Sequence, residues 1–416
     1  MTAPQSTDEG VARTDYPRWF TPGVRAIGLA SFLADVGHEI PTALLASLVT
    51  ITLGAPASLL GFLEGLADGL AGLARFVGGP LADAPSSRRR TAIGGYLSTA
   101  LLSSLLGAAG AVWQVALLRT AAWFSRGLRV PARNALLADM VPSEVYGRAY
   151  GFERMMDNLG AIGGPLLALW LVTLVGVRTA ILLSALPGVL AALAIFYAIR
   201  HLPRATSRER TRLKITIRPL LRGQLGLVLL GVSFFEASNA AATLLILRAT
   251  QQLAPGLGLQ VATQIGILLY TGYNVAATLA SLPAGRLSDS FGPLRILLAG
   301  VFLFLLAYLG FAVNVPHIAL LAFSFITAGL AIGCIETSEH AAVATLAPAD
   351  VRGSAFGLLA AIQSFGNLLA SGAAGLLWSL ISPTAAFLYL AIWAGLASLL
   401  LGFLQVRWGT ARAIRS

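Results

Sequence analysis

Two unrelated local patterns recur in this chain at a single spacing of 206 residues. Gly79-Pro80-Leu81-Ala82-Asp83, followed by Arg88, Arg89 and Arg90, returns as Gly285-Arg286-Leu287-Ser288-Asp289, followed by Arg295. Pro142, Val145, Gly147, Ala149 and Gly151 return as Pro348, Val351, Gly353, Ala355 and Gly357. Two patterns in one register mark an internal duplication of halves about 200 residues long. Each copy sits between long apolar segments, so the repeated unit is a membrane bundle, and the two copies are parallel.

Composition excludes a soluble fold. The chain is 56% hydrophobic with 11% charged residues, and its mean hydropathy is +0.78. That is too little charge to cover a globule with a polar surface. The apolar runs are long enough to cross roughly 30 Å of hydrocarbon as helices. An all-α membrane protein with twelve spans is predicted, at 25–50, 57–79, 91–110, 112–137, 149–174, 178–199, 224–249, 261–284, 294–314, 317–343, 354–380 and 383–405. The expected domains are an N-terminal tail (1–24), a six-helix half (25–199), a basic linker (200–223), a second six-helix half (224–406) and a C-terminal tail (407–416). The polar start of the chain has no apolar core and reads as a cytosolic tail, not a signal peptide.

The net charge of +11 is distributed by side. Arg13, Arg18, Arg88 to Arg90, the run from Arg200 to Arg222, Arg295, Arg352, Arg407, Arg412 and Arg415 fall on one side, and only Arg178 and Arg248 on the other. By the positive-inside rule both termini and the central linker are cytoplasmic. The basic excess is therefore topological, and nucleic acid is not an expected partner. The one cysteine, Cys334, excludes an intrachain disulfide. Arginine in place of lysine almost throughout suggests a GC-rich bacterial genome, hence the cytoplasmic membrane.

Ionisable groups inside spans are costly against lipid and mark protein-lined or water-filled surfaces. Spans 3, 6, 8, 9, 11 and 12 carry none between their ends, so spans 3, 6, 9 and 12 are expected to face lipid. Asp35, His38 and Glu39 share one face of span 1. In span 2, Glu64, Asp68 and Arg75 lie within about 40° of one another at 100° per residue. Arg119, Arg126 and Arg133 form a heptad stripe on span 4, with Arg129 to one side. Span 7 offers Glu236 and Asn239, and Glu336, Glu339 and His340 share a face of span 10. Such acids can load and release protons if burial and a nearby arginine balance. Alternatively they are permanent ion pairs that hold the bundle together.

From about residue 25 to 406 the chain resembles the major facilitator superfamily. The first loop, with Gly79, Leu81, Asp83 and Arg88 to Arg90, is similar to that family's signature, echoed by Gly285, Leu287, Asp289, Gly292 and Arg295. Ala-Pro-Ser-Ser at 84–87 departs from its usual glycine-containing turn. Such a loop can bring helices close through glycine, with an aspartate pairing or capping across the halves. Gly151, Gly160, Gly164 and Pro165 on span 5 resemble the antiporter motif, although Ala168 and Leu169 replace its last glycines. Arg119 sits where proton-coupled drug exporters carry an arginine, although Ala122 and Trp123 replace the glutamine and glycine usual in those proteins. The resemblance implies that spans 1, 4, 7 and 10 line a central cavity.

The leading functional expectation is a proton-coupled exporter of small amphipathic organic molecules, a monomer in the bilayer without cofactor or bound metal. Trp123, Phe124, Phe234 and Phe235 are the aromatics such a cavity would use. Divalent metal transport through Asp35, His38, Glu39, Glu336, Glu339 and His340 is one alternative. Organic-anion transport on the span 4 arginines is another, and a non-transporting sensor or scaffold a third. Nothing suggests an enzyme, since neither a phosphate-binding glycine loop nor a nucleophile elbow is present.

Overall fold

A computed structural model describes residues 19–55, 57–200 and 219–413, without the side chains of 57–62, 64, 65 and 408–413. The tail before Trp19 and most of the expected linker lie outside the described residues. All regular structure among those described is helical: α1 (Pro22–Ala46), α2 (Ala57–Asp83), α3 (Pro85–Leu105), α4 (Val112–Ala138), α5 (Tyr146–Leu183), α6 (Ala185–Arg200), α7 (Gly223–Glu236), α8 (Ala242–Leu257), α9 (Leu259–Phe291), α10 (Pro293–Ala312), α11 (Ile318–Leu346), α12 (Arg352–Leu380) and α13 (Pro383–Ala413). Among the described residues, eight helical stretches are long and apolar enough to cross a membrane.

The helices start and stop where local chemistry dictates. Thr21 caps α1 through its hydroxyl, with Pro22 at the first helical position, where a missing N–H costs nothing. After α1 the chain widens into a π-helical turn, Ser47–Thr52. Spans 5 and 6 divide at Gly176, whose φ of 77° and ψ of 170° interrupt the run. Only glycine takes such a backbone at little cost. Pro165 lies inside α5. The expected C-terminal tail is helical as far as Ala413, an extension of α13.

Span 7 corrects the sequence reading. The single helix expected over 224–249 is two, α7 and α8, with an unwound turn between Glu236 and Ala242. The turn is stitched to other helices. Tyr308 of α10 donates its hydroxyl to the Ser238 carbonyl at 2.6 Å and accepts the Ala240 amide at 3.3 Å. Ser371 of α12 accepts the Ala241 amide at 2.8 Å, and Asn367 donates to the Asn239 carbonyl at 2.8 Å. Non-helical backbone is tolerated at membrane depth when protein satisfies it in this way.

Helices α3 with α6, and α10 with α13, pair on the flanks of their halves and expose leucines such as Leu101, Leu190, Leu306 and Leu399. The ends of α3 and α10 are treated alike. Arg178 donates to the carbonyls of Gly107 (3.1 Å) and Ala109 (2.6 Å) just beyond α3. Arg248 donates to the carbonyl of Phe311 at 2.9 Å, at the end of α10. A guanidinium answers both the unpaired carbonyls and the negative end of the helix dipole.

The halves meet through α2 with α12 and α5 with α9. Glycines set the approach. A Cβ on Gly79 would lie 2.9 Å from Ser354 Cα, and one on Gly147 would lie 2.2 Å from the Gly285 carbonyl oxygen. Gly151 is held as closely, 2.4 Å from the Ser281 carbonyl oxygen. Gly160 and Gly164 instead seat α5 on α1, against the Phe32 carbonyl and Glu39.

Candidate functional site

The two duplicated loops form a pair of latches across the halves. At the end of α2, Asp83 accepts from the Ser354 amide at 2.8 Å and from its hydroxyl at 2.5 Å, at the start of α12. Burial raises the Asp83 carboxyl above its ordinary value, while the Ser354 donors pull it down. At the end of α9, Asp289 accepts from the amides of Gly147 (2.6 Å) and Arg148 (3.1 Å), at the start of α5. Each carboxylate thus caps a helix N-terminus of the opposite half, where orphan amides and the positive dipole end favour an anion. The first latch carries more. Buried Arg88 pairs with Asp139 and donates to the Ala82 carbonyl, and Arg352 stands 3.8 Å from the same Asp139. At the repeat offset Leu294 and Thr345 replace Arg88 and Asp139. Arg295 is exposed and has no acid partner among the described residues, whereas Arg89 does have an interaction.

Between the halves lies a cavity of about 600 Å³, lined by residues of α1, α2, α4, α5, α7, α11, α12 and the turn after α7. None of its lining residues comes from α3, α6, α10 or α13. Its volume falls in the ordinary range of small-molecule sites, about 300–1,000 Å³.

The wall from the first half is a network of arginines and acids. Arg126 of α4 reaches Asp35 at 3.3 Å and the His38 ring at 2.5 Å. His38 also lies 3.3 Å from Asp35 and 3.1 Å from Glu39. Arg133 pairs with Glu153 (2.7 Å) and Asp157 (3.3 Å) of α5, and Arg154 holds the same two acids at 2.8 and 3.2 Å. Asp68 accepts from the Trp123 indole at 2.7 Å. Arg75 donates to Ser364 of α12 at 2.5 Å, and its Nε makes no hydrogen bond. Arg129 lies over the Tyr96 ring at 3.9 Å.

The wall from the second half is acid and amide. Glu236, at the last turn of α7, accepts from Asn239 at 3.0 Å. Glu336 lines the cavity without an ion pair or side-chain hydrogen bond among the described residues. Behind it Glu339 is wholly buried; Gln363 donates to one carboxylate oxygen and the other has no partner. His340 forms a three-ring cluster with Tyr150 and Phe356, with ring centroids 5.8 and 6.0 Å away, and its Nδ1 bonds the Glu336 carbonyl oxygen at 2.6 Å.

Several expected residues stand elsewhere. Asp35, Asp68, Arg126, Glu236, Glu336 and His340 line the cavity, whereas His38, Glu39, Arg119 and Glu339 do not. Arg119 is buried beneath Trp123, 3.6 Å from its ring, and donates to Thr42 at 3.0 Å. The side chain of Glu64 lies outside the described residues. The four expected aromatics also miss the cavity. Trp123 serves Asp68, Phe124 is exposed, Phe234 packs on Trp393 and Phe235 on Phe304. Their helices are apolar on several faces, so composition did not reveal which face turns inward. Sequence reasoning passed over Glu153, Arg154 and Asp157, which sit at the polar start of span 5. It also missed Gln363, Ser364, Asn367 and Ser371, a polar stripe at helical spacing on a charge-free span. No three of the His, Cys, Asp and Glu side chains described are grouped to hold a metal ion.

The Major Facilitator Superfamily model matches residues 27–268 and 256–409. An uncharacterized MFS-type transporter of Methanocaldococcus jannaschii is 28% identical over 93% of this chain and 96% of its own length. The multidrug resistance protein MdtG of Dickeya zeae is 30% identical over 70% of each chain. A bacterial homologue of the iron transporter ferroportin, solved outward-facing, superposes with a TM-score of 0.72 at 16% identity, over 93% of this chain and 99% of that one. The transporter FucP in its outward conformation gives 0.72 at 14% identity, over 92% and 99%.

Proposed function

This chain belongs to the Major Facilitator Superfamily and is a multi-pass membrane transporter, not an enzyme; from that premise we propose that it exports small, charged organic molecules in exchange for protons by alternating access. The observation that carries the reading is the cavity of about 600 Å³, lined by charged groups of both halves and sealed at one end by two latches. A site shared by two bodies that meet through breakable caps is what rocking transport requires. We place the latched end at the cytoplasm, with both termini there, twelve spans near the boundaries expected from the sequence, and a single copy in a bacterial cytoplasmic membrane. This conformer then faces outward.

Multidrug-resistance relatives support the outward direction. The amphipathic expectation is narrowed to charged molecules because acids and arginines line the cavity beside apolar side chains such as Ile332 and Leu368. Phe365 is the one phenylalanine, tyrosine or tryptophan among the described lining residues. Protons have two kinds of acceptor: Asp35, tied to Arg126 and His38, and the less compensated Glu236, Glu336 and Glu339. A carboxylate that gives up its proton when substrate binds, and takes one up when substrate leaves, couples the two fluxes in opposite directions. A second reading, organic-anion transport, draws on the five arginines Arg75, Arg126, Arg129, Arg133 and Arg154 among the described lining residues of the cavity. The human organic anion transporter MFSD10 shares the fold, with a TM-score of 0.69 at 16% identity over 93% of this chain.

Internal pH of proteoliposomes, followed while organic cations, zwitterions and anions are added in turn, tests the proposal. Proton flux driven by one class and abolished in Asp35→Asn or Glu336→Gln supports exchange. Substrate uptake with no change in internal pH would exclude proton coupling.

A further inference from the structure

The charges lining the cavity divide into those already answered by a neighbour and those left over. On the first half, Asp35, Asp157 and the adjoining Glu153 are all held by arginines, whereas Asp68 has a neutral donor, the Trp123 indole, and Arg75 on its own helix at longer range. Arg133 and Arg154 are spent on those acids, and Arg129 on the Tyr96 ring. Arg75 makes no ion pair among the described residues, with Asp68 and Glu236 attracting it only at longer range; its one hydrogen bond is to a serine hydroxyl, and its Nε is buried without an acceptor. Arg126 shares one acid at 3.3 Å and keeps a partly exposed guanidinium.

The second half is the reverse. Glu236 has only an amide donor, and Glu336 has no donor among the described residues. Glu236 also ends α7, where the helix dipole turns its negative end to the cavity and adds to the preference for a cation. No ion pair joins Arg75 to either acid. Arg75 thus faces Glu236, and Arg154 faces Glu336, at longer range without a close pair. Opposite charges held apart are only partly answered, and a ligand carrying both signs would contact both walls at once.

Resting on the transporter reading above, we propose that the transported molecule is a small zwitterion. Its anionic group lies on Arg75 with Arg126 beside it, and its ammonium on Glu236 and Glu336. Guanidinium offers a planar fork that fits a carboxylate or a phosphonate, whereas the acids fit a compact ammonium. Arg75 already touches α12 through Ser364, so a molecule bridging the walls pulls the halves together. A ligand of one sign leaves one wall unanswered and binds at least ~10-fold more weakly.

The test is a binding titration on the purified full chain in detergent, read by thermal shift. The probes are ω-amino acids from glycine to 8-aminooctanoate, each with its methyl ester and its deaminated acid, and the matching aminoalkylphosphonates. At least one zwitterion should bind ~10-fold more tightly than both its ester and its deaminated acid. Arg75→Gln should bring that zwitterion down to the level of its ester while leaving the ester unchanged. Glu336→Gln should bring it to the level of the deaminated acid. Both variants are first shown to be monodisperse and to melt cooperatively. The phosphonate series identifies which anionic head the arginines prefer. If no zwitterion outbinds its two truncated relatives, or if Arg75→Gln weakens all three alike, the proposal is overturned. Cysteine cross-linking across the latch and across the opposite cavity mouth, in wild-type membranes, reads alternating access separately. Two cross-linked states with no zwitterion preference would sink this inference alone, and a single state would sink the transporter reading.

Discussion

The two latches descend from one duplicated loop, yet they hold differently. In both, a carboxylate caps a helix of the other half and a glycine brings two backbones together. Only the first adds the ion cluster of Arg88, Asp139 and Arg352. In the second, leucine and threonine occupy the cluster's places and Arg295 is left in solvent. The shared part is therefore backbone capping, and the ion cluster is an addition on one side. Closure should depend on both copies through glycine and aspartate, on the first through the Arg88 cluster, and on the second through the single ion pair of Arg148 with Asp289 at 3.3 Å.

The largest effect is expected at the glycines. Gly285→Leu and Gly147→Leu would each place a Cβ 2.2 Å from opposing backbone oxygen, which cannot yield as a side chain would. Transport should fall at least ~10-fold, the equivalent of about 1.4 kcal/mol. Cross-links across the latch should disappear while those across the opposite mouth persist. Equal transport in Gly285→Leu and wild type would break the idea that the second copy closes on its backbone.

Next is the cluster. Arg88→Gln removes a buried cation and leaves Asp139 with Arg352 at 3.8 Å. A loss of about 1–3 kcal/mol in the stability of the closed state is expected, visible as a lower melting temperature. Asp83→Asn and Asp289→Asn should each cost about 0.5–2 kcal/mol as weakened caps. Their near-equality would sharpen the comparison, and a much greater loss at Asp83 would show that the cluster depends on that cap. Arg295→Gln should be smallest, within about 0.5 kcal/mol, as for a surface site without a partner. A loss comparable to that of Arg88→Gln would mean that Arg295 adds an ionic role to the Arg148–Asp289 pair of the second copy.

Much of the fold was legible because the constraint is coarse. Apolar runs must become helices in hydrocarbon, and the 206-residue offset places the two loops at equivalent points without further information. The break after Glu236 was not legible. Phe234, Phe235, Ala237, Ala240 and Ala241 continue an apolar run, and the donors and acceptors that replace the helical bonds come from Tyr308, Asn367 and Ser371, far along the chain. The site was legible by residue type but not by rotation. Asp35 and Arg126 were found because charge within a span needs a reason, and both meet at the cavity. Trp123 and Phe235 were misplaced because an apolar helix gives no sign of which face turns inward. The α12 stripe went unnoticed because Gln363, Ser364 and Asn367 carry no charge.

Arg178 and Arg248 have a consequence for how the chain enters the bilayer. On the topology proposed above they are, by count, the two cations that dilute the charge asymmetry between the faces. Both are engaged with carbonyls at the ends of α3 and α10, from different points in their halves. Once folded, their charge is answered within the protein and presented far less to the surrounding water. The contrast between the two membrane faces is thus greater in the finished molecule than in the nascent chain. The fold itself completes the orientation signal that the sequence only began.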